Sequence, residues 1–278
     1  MSTAIRLGLI GDNIAASQAP RLHELAGAMT GRPVTYERLV PRDVGLGFDE
    51  LFDHCARSGF RGVNVTYPYK ERAFARVTVD APRVRALGAV NTVLFGEDGP
   101  KGYNTDHSGF IAAYRGTFGD RLPGSVCMAG GGGVGKAVAF GLLELGVARL
   151  TIVERDIAKA EALATALRGD SPDVEIRVTG SIEEGIAGAQ GLVNCTPVGM
   201  DGHDGTPFPA PLIGSAEWAF DAVYTPRETR FLSDAAAKGL AVLSGYELFF
   251  YQGLHAFELF HGVPMDEAAL RAALMETA

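Results

Sequence analysis

The chain has 278 residues, 47% of them hydrophobic and 21% charged, with a net charge of −8. That balance suits a globular protein of one large or two ordinary domains, and it lacks the basic face of a nucleic-acid binder. No apolar stretch approaches the roughly 18 residues of a membrane span, and MSTAIRLGLIG is too short an apolar start for a signal peptide.

The three cysteines, Cys55, Cys127 and Cys195, are scattered without a CxxC, so they are expected to be buried thiols. The six histidines also lack ligand spacing, which sets aside a metal-dependent enzyme. Together these features predict a cytoplasmic protein with no membrane partner and no metal.

In chain order, short apolar runs alternate with amphipathic ones. IRLGLIG (5–11) precedes the helical RLHELAGAM, and VTYERLV (34–40) precedes FDELFDHCARSG. GVNVT (62–66) and NTVLFG (91–96) follow, and then NTDHSGFIAAYRGTFGDRLPG makes a helix and a turn. SVCMAG (125–130) leads into GKAVAFGLLELG, and RLTIVE (149–154) into DIAKAEALATALRG. VEIRVTG (174–180), GLVNCT (191–196), WAFDAVY (218–224) and LAVLSG (240–245) complete the strands, and two helices finish the chain. This alternation predicts an α/β protein with parallel sheets and right-handed crossovers. With so many strands, two sheets are expected instead of one. We place the domains at 1–107 and 108–245, with the helices of 246–278 packing back on the first.

Gly130-Gly131-Gly132-Gly133-Val134-Gly135 follows one strand and opens a helix. Glycine there allows a tight turn, close approach of backbone N–H groups to a pyrophosphate, and close packing of helix on strand. The second domain is therefore expected to be a Rossmann-like, doubly wound dinucleotide-binding domain. LGLIGDNIAAS near the N-terminus has a single glycine, Gly11, where its strand meets the loop, and it cannot cradle a pyrophosphate. The strand after the glycine-rich helix ends at Glu154, 19 residues beyond Gly135, where a ribose-binding acid belongs. Glu154 would hold both ribose hydroxyls and repel a 2′-phosphate, whereas Arg155 would pair with that phosphate. With Asp156 as a second acid, and as a natural N-cap for the next helix, NAD is favoured over NADP.

Asn64-Val65-Thr66-Tyr67-Pro68-Tyr69-Lys70 ends a strand and begins a helix, Gly88-Ala89-Val90-Asn91-Thr92 follows, and then Asn104-Thr105-Asp106. Past the glycine-rich turn lie NCTPVGM (194–200), VYTP (223–226) and GYELFFYQG (245–253). This ordered series resembles the shikimate dehydrogenase family, which includes the quinate/shikimate dehydrogenases, and the resemblance covers nearly the whole chain. It implies an N-terminal substrate-binding domain and reversible hydride transfer between a nicotinamide and a ring carbon bearing a hydroxyl or ketone.

By the same resemblance Lys70 and Asp106 are the catalytic pair. The chemistry asks for such groups independently, because a ring oxygen that gains negative charge needs a cation and a proton. Read alone, Lys70 is an exposed lysine at a helix start and Asp106 a helix N-cap. The resemblance assigns Thr66, Asn91, Asn104, Tyr224 and Gln252 to the substrate, and Thr196, Val198, Met200 and Gly245 to the cofactor.

Ser17 in SQAP corresponds to the first of two hydroxyl residues that grip the substrate carboxylate in the family, but the second position is Ala19. Read alone, Ser17 is an N-cap for the helix that Pro20 begins. The smaller Ala19 leaves room for the additional hydroxyl of quinate, and Glu24 after His23 also looks like the quinate-using side of the family. The expected partner is a small hydroxylated cyclic carboxylate, used with NAD or NADP, and a homodimer is left open. The competing readings are a strictly NADP-dependent biosynthetic shikimate dehydrogenase and a non-catalytic metabolite sensor. Retention of both Lys70 and Asp106 argues against the sensor.

Overall fold

The computed structural model describes Ala4–Glu276. The chain divides into two compact units, one running to Thr105 and resuming at Gly253, the other Asp106–Gln252. The division thus falls inside the helix Gly245–His261 and not at its first turn, where the sequence pattern had placed it.

The first unit contains β1 (Ile5–Ile10), α1 (Ala19–Met29), β2 (Val34–Leu39), α2 (Pro41–Val44), α3 (Phe48–Arg57), β3 (Gly62–Val65), α4 (Lys70–Phe74), α5 (Pro82–Leu87), β4 (Thr92–Gly96) and β5 (Gly99–Tyr103). The strands are ordered β2-β1-β3-β4-β5. β1 is parallel to β2 and β3, whereas β4 is antiparallel to β3 and to β5. This sheet is therefore mixed, which corrects the expectation of a parallel one. β5 has no counterpart among the sequence-predicted strands. Its GPKGY carries two glycines and a proline in place of an apolar alternation, and it exists because β4 turns back at Gly99 (φ +97°) and offers it a partner. As an edge strand it tolerates Pro100.

Successive residues of β1 point to opposite faces, so both faces of the sheet carry a core. Ile10 joins Val63, Val65, Phe48, Leu51 and Phe52 on one side. Leu7 and Leu9 join Tyr36, Ala256 and Phe260 on the other, the last two from the C-terminal part of the chain.

The second unit contains α6 (Thr105–Phe118, its first residue belonging to the first unit), β6 (Ser125–Ala129), α7 (Gly133–Glu144), β7 (Arg149–Val153), α8 (Ile157–Asp170), β8 (Glu175–Thr179), α9 (Ile182–Ile186), β9 (Gly191–Asn194), β10 (Trp218–Asp221), α10 (Arg230–Ala237), β11 (Ala241–Ser244) and the first half of α11 (Gly245–His261). α12 (Glu267–Glu276) packs on α1 in the first unit, where Arg21 donates to the Leu274 carbonyl at 2.6 Å.

All six strands of the second sheet are parallel, in the order β11-β10-β9-β6-β7-β8. That is the doubly wound dinucleotide-binding order, with its reversal between β6 and β9. α6 covers one face, with Phe110 against Phe220 and Tyr114 edge-on to Trp218 at 5.2 Å. Trp218 also donates to the Pro123 carbonyl at 3.0 Å. Among the described residues no helix is long and apolar enough to cross a membrane.

Behind the first sheet, His23 is 1% exposed, with its ring stacked on Tyr36 at 5.0 Å. Burial, with the charge of His261 adding to it, lowers the His23 pKa from 6.5 to about 3. The folded chain therefore keeps this imidazole neutral, while the unfolded chain protonates it below about pH 6.5. Its contribution to stability is complete above that pH and is lost as the pH falls. We expect the unfolding free energy to drop by about 2 kcal/mol from this group between pH 7 and 5. Denaturant titrations at those two pH values should show it, with a shallower dependence in His23→Phe. An equally steep dependence in the variant would remove His23 from the account.

Candidate active site

Each unit gathers its candidate residues at one edge of its own sheet. In the first, Ser17 follows β1, and Thr66 and Lys70 follow β3, so all three lie beyond carboxyl ends of parallel strands. β4 runs the other way, so its beginning lies at that same edge, with Thr92 opposite Asn64. β5 returns antiparallel to it, with Tyr103 opposite Thr92, and so brings Asn104 and Thr105 back beside Asn91.

The contacts here are buried. The Asn91 side-chain oxygen accepts the Thr105 N–H at 2.7 Å and the Thr105 and Thr92 hydroxyls at 3.1 Å each. With that oxygen engaged, the group Asn91 can offer a ligand is its amide donor. Asn64, which the sequence reading did not single out, supports the arrangement. Its amide donates to the Thr92 hydroxyl at 3.0 Å, and its oxygen accepts the Tyr36 hydroxyl at 2.7 Å. The Asn104 amide donates to the Ala89 carbonyl at 2.9 Å. Lys70 is the first residue of α4, half-buried, with its carbonyl accepting the Val90 N–H at 3.1 Å. The Thr66 N–H is bound to the Ile10 carbonyl at 2.9 Å.

Ser17 is not the N-cap of α1, because Gln18 holds that position. Its hydroxyl instead accepts the Ala19 N–H at 3.3 Å. Arg38 adds a cation to the same loop by donating to the Ser17 carbonyl at 2.8 Å.

Asp106 opens the second unit from the first turn of α6 and is 8% exposed. Since the helix starts at Thr105, Asp106 is inside it and not its cap.

The glycine-rich turn lies after β6, next to the reversal of strand order. Gly130 has φ +95°, and a Cβ there would meet the Cys195 backbone at 2.8 Å. A Cβ at Gly135 would run into the Gly130 carbonyl. These two glycines are required by the protein's own packing. Gly131 and Gly132 are not: a Cβ would meet Leu163 and Glu154 at 3.7 and 3.8 Å at the first, and only the Lys159 ammonium at 3.8 Å at the second. Gly133 is exposed at the start of α7, and Val134 is half-buried in its first turn. Small residues whose smallness the fold does not need, at the start of a helix, fit a bound pyrophosphate.

Glu154 stands beside this turn. Burial works to raise its pKa, but the N–H groups of Gly131, Asp156 and Arg155, together with Lys159, outweigh it and hold the carboxyl low. The Gly131 and Arg155 bonds are 3.0 and 2.9 Å, and the Lys159 ammonium is 3.9 Å away. The sequence reading missed Lys159; its place one turn into α8, after an acid that ends a strand, was the available signal. Asp156 caps α8 by accepting the Lys159 N–H, and Arg155 is exposed.

The remaining cofactor candidates also lie at the carboxyl edge. Thr196, Val198 and Met200 follow β9, and Gly245 follows β11, where a Cβ would meet the Asp221, Ala222 and Val223 carbonyls at 2.5–2.6 Å. Cys195 is buried, and burial raises its thiol pKa. Tyr224 follows β10, stacked on Phe249 at 5.1 Å, with burial raising its pKa. Gln252, in α11, donates to the Phe249 carbonyl at 2.9 Å. Among the described residues no group of His, Cys, Asp and Glu is placed to hold a metal ion.

A glycine-rich turn at the reversal of a doubly wound sheet, in a chain with a second α/β unit of amide- and hydroxyl-lined edge, defines a dinucleotide-binding protein with a separate polar candidate site. Comparison with known proteins makes this particular. The family model for the shikimate dehydrogenase substrate binding domain matches residues 9–93, and that for the shikimate 5'-dehydrogenase C-terminal domain matches residues 245–275. A quinate/shikimate dehydrogenase (NAD(+)) of Corynebacterium efficiens is 39% identical, covering 98% of both chains. A shikimate dehydrogenase (NADP(+)) of Arthrobacter sp. strain FB24 is 38% identical, covering 97% of this chain and 94% of its own. The structure of quinate dehydrogenase from Corynebacterium glutamicum in complex with NAD superposes with a TM-score of 0.91 at 35% identity, covering 98% of this chain and 99% of the other. The chain belongs to the shikimate dehydrogenase family.

The contrast among the glycines is testable. Gly131→Ala should keep the thermal midpoint of the parent but weaken dinucleotide binding by about tenfold or more, since only a ligand needs that space. Gly135→Ala should instead destabilise the fold by ~1–3 kcal/mol through overpacking. Unfolding curves and titrations with reduced dinucleotide separate the two. Equal losses of stability would contradict the assignment.

Proposed function

We propose that the protein interconverts the ring alcohol and ring ketone of quinate- and shikimate-type carboxylates, with NAD the preferred dinucleotide. The observation that carries the cofactor preference is Glu154, a carboxylate held ionised by backbone N–H groups at the glycine-rich turn. A fixed acid there accepts ribose hydroxyls and repels a 2′-phosphate. The bound dinucleotide supplies or takes the hydride.

The chain's own residues handle the oxygen and the ring. Lys70 gives the ring oxygen its proton as charge develops on it, and an ammonium also stabilises that charge. Asp106 accepts from the adjacent ring hydroxyl. Asn91 donates through the amide that its engaged oxygen leaves available, and Thr66, Asn104, Tyr224 and Gln252 make further substrate contacts. Ser17 takes the carboxylate, with the Arg38 cation supporting that loop. Without a hydroxyl at Ala19, one charge-assisted hydrogen bond worth ~1.5–3 kcal/mol is missing. Quinate, with a hydroxyl on its carboxylate-bearing carbon, uses the space that remains.

A second reading, NADP dependence, is favoured by Lys159 near Glu154 and by the exposed Arg155, both able to pair with a 2′-phosphate.

Initial rates on quinate and shikimate, each with NAD⁺ and NADP⁺, test both points. We expect the highest kcat/KM for quinate with NAD⁺, and a preference for shikimate with NADP⁺ would overturn the specificity reading. In Ala19→Ser the quinate-to-shikimate ratio should fall by about tenfold, and an unchanged ratio would remove Ala19 from the explanation. Separately, Lys70→Ala should lower kcat by about a hundredfold or more with the fold intact. Turnover within about tenfold of the parent would show that Lys70 is not the proton donor.

A further inference from the structure

The carboxyl ends of β9 and β10 meet at a buried acid. Asp221, the last residue of β10 and wholly buried, lies opposite Asn194, the last residue of β9. One of its oxygens accepts the Asn194 amide at 2.9 Å and the Val223 N–H at 3.0 Å; the other accepts the Thr229 hydroxyl at 2.7 Å. Each donor organises a different segment. Asn194 also donates to the Val198 carbonyl at 3.1 Å and accepts both the N–H and the hydroxyl of Thr196, at 2.9 and 2.7 Å. Val223 precedes Tyr224. Thr229 caps α10 by accepting the Leu232 N–H at 3.3 Å. The Asp201 N–H, bound to the Thr225 carbonyl at 3.1 Å, joins the two loops again further out.

We propose that Asp221 is a positioning residue, whose carboxylate sets the 194–200 loop and the Tyr224 turn as one rigid edge for the dinucleotide. This rests on the reading that Thr196, Val198, Met200 and Tyr224 serve the cofactor and substrate. The carboxylate can hold both loops because it accepts from three donors at once, whereas a neutral amide in its place turns a donor toward the Thr229 hydroxyl. Buried and charge-assisted, these bonds are strong and directional.

The test compares the full-length protein with Asp221→Asn, Thr229→Val and Thr229→Ser. Direct titration with reduced dinucleotide gives Kd, and steady-state rates with quinate and NAD⁺ give the constants for each substrate. Asp221→Asn and Thr229→Val should raise the dinucleotide Kd by about tenfold and lower kcat by about ten- to a hundredfold. The KM for the ring carboxylate should change less than the dinucleotide Kd, because Tyr224 alone among the substrate contacts sits on the disturbed turn while Ser17, Thr66 and Asn91 are untouched. Thr229→Ser, which keeps the hydroxyl, should restore parental values.

Variants with lowered thermal midpoints but parental Kd and kcat at 25 °C would overturn the proposal. If Asp221→Asn does not fold, the Thr229 pair decides alone, since both keep the carboxylate. A parent that binds dinucleotide but turns over neither ring acid would refute the substrate reading, while the Kd values would still decide the role of Asp221. A parent that binds no dinucleotide would overturn both.

Discussion

Asn91 accepts the Thr105 N–H at 2.7 Å, and that bond closes the loop on which the first unit's candidate chemistry depends. A parallel β4 would have carried the start of the GAVNT motif to the opposite edge of the sheet from Thr66 and Lys70. Because β4 is antiparallel to β3, its beginning lies beside the end of β3, and β5 brings Asn104 and Thr105 back to the same place. The Thr105 anchor then fixes the start of α6, one residue before Asp106. Three motifs separated along the chain are gathered by one reversal of strand direction.

Buried polar groups hold both edges in shape. In the first unit Tyr36, Asn64, Thr92, Asn91 and Thr105 form a continuous chain of hydrogen bonds. In the second, Asn194, Asp221 and Thr229 do the same between two loops. Burial without partners would make each of these groups a liability, and full satisfaction converts them into rigid geometry. His23 stands apart from these networks: buried and stacked on Tyr36, its Nδ1 has no hydrogen-bond partner among the described residues, and desolvation keeps the ring neutral.

The two relatives above differ in named dinucleotide at almost the same identity, 39% and 38%. Overall likeness therefore does not choose the cofactor. At the end of β7 Glu154 accepts the Gly131 N–H from the glycine-rich turn, while Lys159 approaches it from the first turn of α8. The balance between a fixed negative charge and a mobile positive one is a local electrostatic matter, and it can shift without any change in fold.

The alternation of apolar and amphipathic runs was enough to show an α/β chain with two sheets, and the glycine-rich turn after SVCMAG was readable because strand, turn and helix are neighbours in sequence. The order of motifs was enough to reveal the family. Local pattern could not show β5, since GPKGY becomes a strand only by pairing with β4. Nor could it show that Ser17 lies outside the cap of α1, or that Asp106 begins within a helix turn. The supporting residues Asn64, Lys159, Asp221 and Thr229 read in sequence as ordinary polar positions. Periodicity and motif spacing record what neighbouring residues do, and these were legible. Hydrogen bonds between residues 14 to 28 positions apart depend on which strand lies beside which, and only the folded sheets decide that.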